Sequence, residues 1–227
     1  GGLPHAPEWL GRLRGFVELH IDQTRDLERA GRPAGVVAGL ASRLRVQADL
    51  HGRADHAGTT RREERADALS AAARLIVAAE DLAASEPDFV VTAARILVEP
   101  NALTTVPAHV RLFLDARTPD PATIDAWLEA LRATPLAVPA DFTVASRSPG
   151  IEFDGDVRAA LRRHAPGDEL TCFAGHDAGV LAERIPAGMV FVRNPTGVSH
   201  SPEESVSLED AAVAANAMLA ALEELAA

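Results

Sequence analysis

Two stretches of the sequence alternate strictly between apolar and polar residues, and this pattern constrains the fold more than any other feature. The first covers residues 44–51 and the second covers 110–117. Successive side chains on a strand point to opposite faces of a sheet, so the alternation predicts two strands, each with one buried face. Further strands are predicted at 89–98 and at 142–146.

Two helices are predicted between these strands. The first has an apolar stripe over residues 69–82, with a capping-box pattern at 60–63 ahead of it. The second begins at 119–121, and its predicted inward face consists of Ile124, Trp127, Leu128 and Leu131. The order β-α-β-β-α-β is that of the ferredoxin-like arrangement, an antiparallel sheet covered on one face by two helices. We therefore predict a ferredoxin-like domain at 41–148.

The flanking segments have a different character. Residues 188–192 are wholly apolar, which is typical of a buried parallel strand. Residues 9–30 are predicted to be helical in part. A final helix is predicted behind Ser207, with one apolar face made of Leu208, Ala211, Ala215, Met218, Leu222 and Leu225. We expect 1–40 and 149–227 to form one α/β domain around the inserted domain, so the expected fold class is α/β plus α+β.

Composition excludes some classes of partner. The formal net charge of −11 argues against binding to nucleic acid, which needs a basic surface. We expect no membrane partner either, because no apolar run approaches the roughly 20 residues needed to cross a bilayer. The single cysteine, Cys172, excludes an internal disulfide and fits a cytoplasmic location.

Two histidines far apart in the sequence are candidates for chemistry. His20 lies between Glu18 and Asp22, and His200 lies in a loop of Gly, Ser and Pro directly after the apolar strand. Loops after the strands of α/β folds commonly carry functional sites. For His20, the simpler interpretation is a partly buried histidine that hydrogen-bonds a neighbour at the end of an element.

Three further positions have both a functional and a structural interpretation. The small residues around His56 allow a ligand to approach, although a polar turn before a helix has the same composition. Arg117 could hold a carboxylate with its planar fork, or could form a surface pair with Asp115. His176 could be oriented by Asp177, or the two could simply start a helix.

Six motifs then occur in an order that resembles the hydantoinase/carbamoylase family of zinc-dependent amidohydrolases. They lie at residues 18–23, 54–60, 100–107, 114–117, 175–178 and 197–204. This family is part of the superfamily of two-metal aminoacylases and carboxypeptidases. The resemblance implies the C-terminal part of a two-metal catalytic domain, with the ferredoxin-like domain as an inserted lid and dimerisation domain.

The resemblance also implies roles for particular residues. His20 and His200 match the ligands of the two metal ions, and His56 matches the lid histidine that polarises the scissile carbonyl and stabilises the tetrahedral intermediate. Gln23 and Arg117 match substrate contacts, Arg117 to the substrate carboxylate. The implied metal is zinc or another divalent transition metal such as manganese, cobalt or nickel, with two ions in a complete site.

The chain departs from the family pattern at several points. Asp22 replaces a glutamate, and Thr104 replaces an asparagine that contacts substrate in the family. The family's first half supplies a His, a bridging Asp, a Glu ligand and a Glu base, and none of these motifs appears in the nineteen residues before His20. The chain also lacks an initiator methionine. We therefore expect a truncated chain that by itself binds the two metals incompletely and does not catalyse.

The sequence thus predicts a metal-dependent amidohydrolase that cleaves a carbamoyl, ureido or amide C–N bond in a small substrate bearing a carboxylate. A homodimer through the lid is implied by the resemblance. Two alternatives stay open. One is a non-catalytic fragment that acts in dimerisation or ligand binding, and the other is a peptidase or aminoacylase of the same superfamily.

Overall fold

The computed structural model describes residues 8–165 and 167–227. Its strands are β1 (Phe16–Ile21), β2 (Ala34–Leu40), β3 (Ser42–His51), β4 (Asp55–His56), β5 (Val90–Glu99), β6 (Thr105–Val106), β7 (His109–Thr118), β8 (Ala140–Ser148), β9 (Ile151–Glu152), β10 (Leu170–Cys172) and β11 (Ala187–Val192). Its helices are α1 (Asp26–Arg29), α2 (Ala68–Ala84), α3 (Pro121–Arg132), α4 (Gly155–His164), α5 (Asp177–Leu181) and α6 (Leu208–Ala226). The mixed α/β class predicted from the sequence is confirmed.

The chain divides into two compact units, one of which is Ala41–Gly150. Its long elements follow one another as β3, α2, β5, β7, α3 and β8. The strands lie in the order β5-β7-β3-β8, and each neighbouring pair is antiparallel. One face of this sheet packs with α2 and α3 into an apolar core, and the outward face of β3 and β7 is mostly polar.

The alternating patterns are confirmed in β3 and β7. Leu44, Leu50, Leu112 and Leu114 are buried, whereas the residues between them are less so. The apolar face predicted for α3 is confirmed as well, because all four of its predicted residues are buried. Trp127 of this face donates its indole N–H to the carbonyl of Ala79, 3.0 Å away, and so ties α3 to α2.

The capping box predicted at 60–63 is wrong. Helix α2 begins at Ala68, and its N-cap is Asp67, whose side chain accepts hydrogen bonds from the N–H groups of Leu69 and Ser70. Residues Arg62–Glu64 instead form a single 3₁₀ turn. The carboxylate of Asp67 satisfies free N–H groups in the first turn of α2, so Thr60 does not cap this helix.

The second unit extends to Leu40 and continues with Ile151–Ala227. Its sheet has the order β1-β11-β2-β10, with β9 paired to β2. Strands β1 and β11 are parallel, whereas β2 runs antiparallel to β11. One apolar cluster joins the sheet to α4 and α6, and a second cluster lies with α5.

Two predictions in this unit need correction. Residues 16–21, predicted within a partly helical stretch, form β1 because they pair with β11 along their whole length. The face predicted for α6 is correct in part, because Ala211, Met218 and Leu225 pack against the core. However, Leu208 is 88% exposed and Leu222 is 39% exposed, and the buried residues are Ala214, Ala217 and Ala221. Helix α6 packs against α4, and small alanine side chains allow two helices to approach closely.

None of the helices in the described part of the chain is long and apolar enough to span a bilayer.

Candidate functional site

Three side chains from two distant segments meet on one face of the sheet that contains β1. Glu18 and His20 lie two residues apart on β1, so their side chains point to the same face. Helix α5 packs against β1 and β11. The residue before this helix is His176, whose ring centroid lies 4.4 Å from that of His20.

Glu18 fixes the position of His176. The Nδ1 atom of His176 lies 3.0 Å from Oε1 of Glu18, and Oε2 of Glu18 accepts a hydrogen bond of 2.7 Å from the N–H of Ala178. Both carboxylate oxygens are therefore used to hold the start of α5. The acid that orients His176 is Glu18, and not its sequence neighbour Asp177.

The hydrogen bonds define which ring nitrogen of each histidine remains available. A carbonyl oxygen only accepts, so Nδ1 of His20 must donate to the carbonyl of Ile21, 2.8 Å away. Nδ1 of His176 likewise donates to Glu18. Each ring thus keeps a lone pair on Nε2, and Nε2 of His176 is buried without a hydrogen-bond partner.

Burial lowers the pKa of His176 below its ordinary value, and the nearby His20 lowers it further. The hydrogen bond to Glu18 opposes this shift without cancelling it. The ring of His176 is therefore favoured in its neutral form, which is the form that binds metal ions.

These three residues fit a divalent metal ion. Their nitrogen and oxygen atoms lie within 4.8 Å of one another. Among the described residues, this is the group of histidine and acidic side chains that lies close enough together to hold a metal ion. The two imidazole nitrogens suit zinc and related transition metals, and the carboxylate of Glu18 holds His176 in place. A buried imidazole nitrogen without a partner is costly unless something binds it. Metal-binding histidines commonly donate their second ring N–H to a carboxylate or a carbonyl, as both rings do here.

Gln23 lies just beyond β1, and its Oε1 atom is also buried without a partner. The turn that leads to it is organised by Asp22, which is 1% exposed. The carboxylate of Asp22 accepts hydrogen bonds from the N–H and hydroxyl of Thr24 and from the N–H of Leu27. Asp22 therefore has a structural role in holding the loop that follows the His20 strand.

His200 lies in the loop after β11, which leaves the sheet at the same edge as the turn after β1 because the two strands are parallel. Asn194 orders the first part of this loop through hydrogen bonds with Thr196, Gly197 and Val198. His200 has φ = 57°, a strained value for a residue with a side chain. His200 is not part of the Glu18 group, and its assignment as a metal ligand stays a prediction.

In the unit Ala41–Gly150, His56 pairs with Thr105 where β4 and β6 form a small antiparallel ladder. The N–H of Ala57, the next residue, donates to the carbonyl of Thr104, 2.9 Å away. The structure therefore brings the predicted site residues His56 and Thr104 close together. Nδ1 of His56 accepts hydrogen bonds from the N–H groups of Gly58 and Thr59, at 3.0 and 3.1 Å. An accepting nitrogen carries no proton, so the exposed ring presents Nε2–H as a donor.

Arg117 lies near the end of β7, on the polar face of its sheet. Its Nε donates to Oδ1 of Asp115 at 2.6 Å, the pairing expected from the simpler interpretation of the sequence. Burial raises the pKa of Asp115, but hydrogen bonds from Arg117 and Arg45 outweigh it and leave the pKa below its ordinary value.

Sequence reasoning missed the role of Glu18 and the pairing of His20 with His176. One local signal was present: Glu18 precedes His20 by two residues, a spacing that places both on one face of a strand. The contact with His176 had no such signal, because 158 residues separate Glu18 from it.

Comparison with known proteins places this chain in a family. The sequence pattern of peptidase family M20/M25/M40 matches residues 2–224. The chain is 33% identical to N-carbamoyl-L-amino acid amidohydrolase of Geobacillus stearothermophilus, over 95% of this chain and 56% of that protein. It is 32% identical to allantoate amidohydrolase of Bacillus subtilis, over 94% of this chain and 55% of that protein. The chain therefore spans about half the length of the curated relatives it matches.

A solved structure of a related amidase also matches this chain. An amidase of the hydantoinase/carbamoylase family from Burkholderia multivorans matches with a TM-score of 0.85 and 29% identity, over 94% of this chain and 55% of that one. The chain belongs to peptidase family M20/M25/M40.

Proposed function

We propose that the whole protein is a metal-dependent amidohydrolase that cleaves a carbamoyl, ureido or amide C–N bond in a small substrate bearing a carboxylate. Family membership supports the hydrolase class, and the names of the relatives support this type of bond. The observation that carries the proposal is the group of Glu18, His20 and His176, whose two imidazoles keep lone pairs on Nε2.

His20 and His176 would hold a divalent metal ion, with Glu18 orienting His176 behind it. Zinc fits this donor set, and manganese, cobalt or nickel would suit similar ligands. When bound, such an ion polarises a carbonyl and lowers the pKa of a bound water. His200 remains the proposed ligand of a second ion, as the resemblance implies.

The other predicted residues would act on the substrate. His56 would donate its Nε2–H to the carbonyl oxygen that becomes negatively charged during attack. Arg117 would hold the substrate carboxylate, and Gln23 and Thr104 would contact other polar groups. The unpartnered Oε1 atom of Gln23 supports a contact of this kind, because a substrate N–H would satisfy it.

We further propose that Ala41–Gly150 is a ferredoxin-like lid through which the protein forms a homodimer. Strand β5 lies at the edge of its sheet, and it exposes Val90, Ile96 and Leu97. An edge strand with apolar side chains favours pairing with another chain. A cytoplasmic location is part of the same proposal and rests on the single cysteine.

By itself the chain is proposed to bind fewer than two metal ions and not to turn over substrate. Among the described residues, one group of side chains could hold a metal ion, and His20 and His176 are its proposed ligands. Recovery of two ions per chain after dialysis would contradict this part of the proposal.

Ammonia release from N-carbamoyl-L-amino acids and allantoate by the whole metal-loaded protein tests the function. His56→Ala should lower kcat about 100-fold or more, the scale of losing one donor to an oxyanion. His51→Ala, which changes an exposed histidine of the same unit, is the matched control and should leave kcat unchanged. Wild-type turnover in His56→Ala would contradict the role of His56. No hydrolysis by the wild type would instead favour a binding module.

A further inference from the structure

Three arginines lie together at one end of the polar face of the Ala41–Gly150 sheet. Arg43 and Arg45 are on β3, and Arg117 is on β7 directly opposite Arg43. Leu44 and Ala116, which alternate with them, are buried in the core. The three guanidinium groups therefore project from the same face, away from the helices.

Arg43 differs from the other two in its partners. Asp115 accepts from Nε of Arg117 at 2.6 Å and from Nε of Arg45 at 2.7 Å, so one carboxylate serves two arginines. Arg43 makes no ion pair within the described part of the chain, and its Nε is buried without a hydrogen-bond partner. Like charges directly opposite each other across two strands are destabilising, so this arrangement favours an anion that binds beside Arg43.

Two further features indicate that this position is built for a ligand. Ser146 lies on β8 beside Arg45, and its hydroxyl is also buried without a partner. Burial lowers the pKa of the Arg43 guanidinium, and Arg45 and then Arg117 lower it further, while Asp115 opposes them. A bound anion would satisfy the Nε–H of Arg43, offset the repulsion among the arginines and accept from the Ser146 hydroxyl.

Resting on the proposed function, in which Arg117 holds one substrate carboxylate, we propose that Arg43 binds a second one. The substrate class is then an N-carbamoyl amino acid with an acidic side chain. Side chains directly opposite on two strands have Cβ atoms about 5 Å apart, so two arginine forks there suit two carboxylates separated by two carbon atoms. Arg43 thus determines specificity, whereas Arg117 provides the carboxylate contact common to all substrates.

The test is calorimetric titration of the full 227-residue chain at low salt with two ligands. N-carbamoyl-L-aspartate carries the second carboxylate, and N-carbamoyl-L-asparagine has an uncharged amide of nearly the same shape in its place while keeping the first carboxylate. We expect the aspartate compound to bind at least about 10-fold more tightly, in proportion to one charged hydrogen-bonded contact. Arg43→Met should remove this preference while leaving the affinity for the asparagine compound unchanged, and Arg43→Lys should retain part of it.

Arg95→Met is the matched control. Arg95 belongs to the same unit and lies 5.3 Å from the ring centroid of Phe113, outside the cluster. The Arg95→Met change removes the same charge from the chain as Arg43→Met, but it should keep the preference for N-carbamoyl-L-aspartate. Equal loss in Arg95→Met and Arg43→Met would show an effect of net charge only and would overturn the proposal.

The remaining outcomes separate this proposal from the proposed function. If the wild type binds both compounds equally and Arg117→Met weakens both, the second carboxylate site is wrong and the role of Arg117 stands. If Arg117→Met weakens neither, the role of Arg117 itself is wrong. Inorganic phosphate that binds as tightly as N-carbamoyl-L-aspartate, or no binding at about 1 mM ligand, would overturn the dicarboxylate assignment.

Discussion

The ring of His176 shows how much of this site depends on single atoms. Its Nδ1 atom is committed to Glu18, so its Nε2 atom is the one free for a ligand. The sequence allowed His176 either a functional or a structural role and offered Asp177 as its acid. A sequence neighbour is the natural choice when distant contacts are unknown, but here the strand β1 supplies the carboxylate instead.

The lowered pKa of the single residue Asp115 leads us to expect that the stability of the fold depends on pH. The pKa of Asp115 is lower in the folded chain than in the unfolded chain. Its ionised carboxylate therefore stabilises the fold at a pH above the ordinary pKa of aspartate, and this stabilisation is lost as the pH falls through the pKa of the folded chain. Asp115→Asn should lower the free energy of unfolding at pH 7 by about 1–2 kcal/mol, because Arg45 and Arg117 lose a charged acceptor. The difference should shrink below about pH 4.

Urea denaturation of both proteins across this pH range measures the effect. Asp141→Asn is the control, because Asp141 is 86% exposed and, among the residues that the structure describes, forms an ion pair with His51 alone. Such surface pairs contribute little to stability. A deficit in Asp115→Asn that stays constant down to pH 2 would show that the lost interaction is not electrostatic.

Elements were predicted well where size and polarity alternate clearly. Strands β3 and β7 and the apolar face of α3 were identified because large buried side chains alternate with polar ones. The buried face of α6 was identified only in part. Ala211, Met218 and Leu225 pack against the core as predicted, but the fully buried residues are alanines, which allow close packing on α4. Hydrophobic periodicity carries little information where the smallest apolar residue makes the contact.

Helix α2 gives a prediction at the level of the element. Asp67→Ala removes the N-cap that accepts from Leu69 and Ser70, and should lower the free energy of unfolding by about 1 kcal/mol. Glu63→Ala is the informative control, because Glu63 would matter only if the helix began with the capping box at 60–63. Its effect should stay within about 0.5 kcal/mol. Equal destabilisation by both changes in urea denaturation would argue that α2 begins earlier than Ala68.

For the whole molecule, the family was predictable because six short motifs kept their order along the chain. The arrangement of the metal-binding group was not, because it needs the packing of α5 on β1, which no local pattern encodes. The negative net charge of the chain also gives no indication of the three clustered arginines on one sheet. Charge counts describe a molecule as a whole, whereas ligand binding depends on where the charges lie.

The proposal to test first is that His20 and His176 hold a divalent metal ion and that Glu18 orients His176. The most direct test loads the full chain with zinc, dialyses it and measures the zinc that remains, for the wild type, for His20→Ala/His176→Ala and for the control His164→Ala. We predict one zinc ion per chain in the wild type and in the control, and little zinc in the double variant, because it lacks both imidazole ligands. No zinc in the wild type, or as much zinc in the double variant as in the wild type, would contradict it.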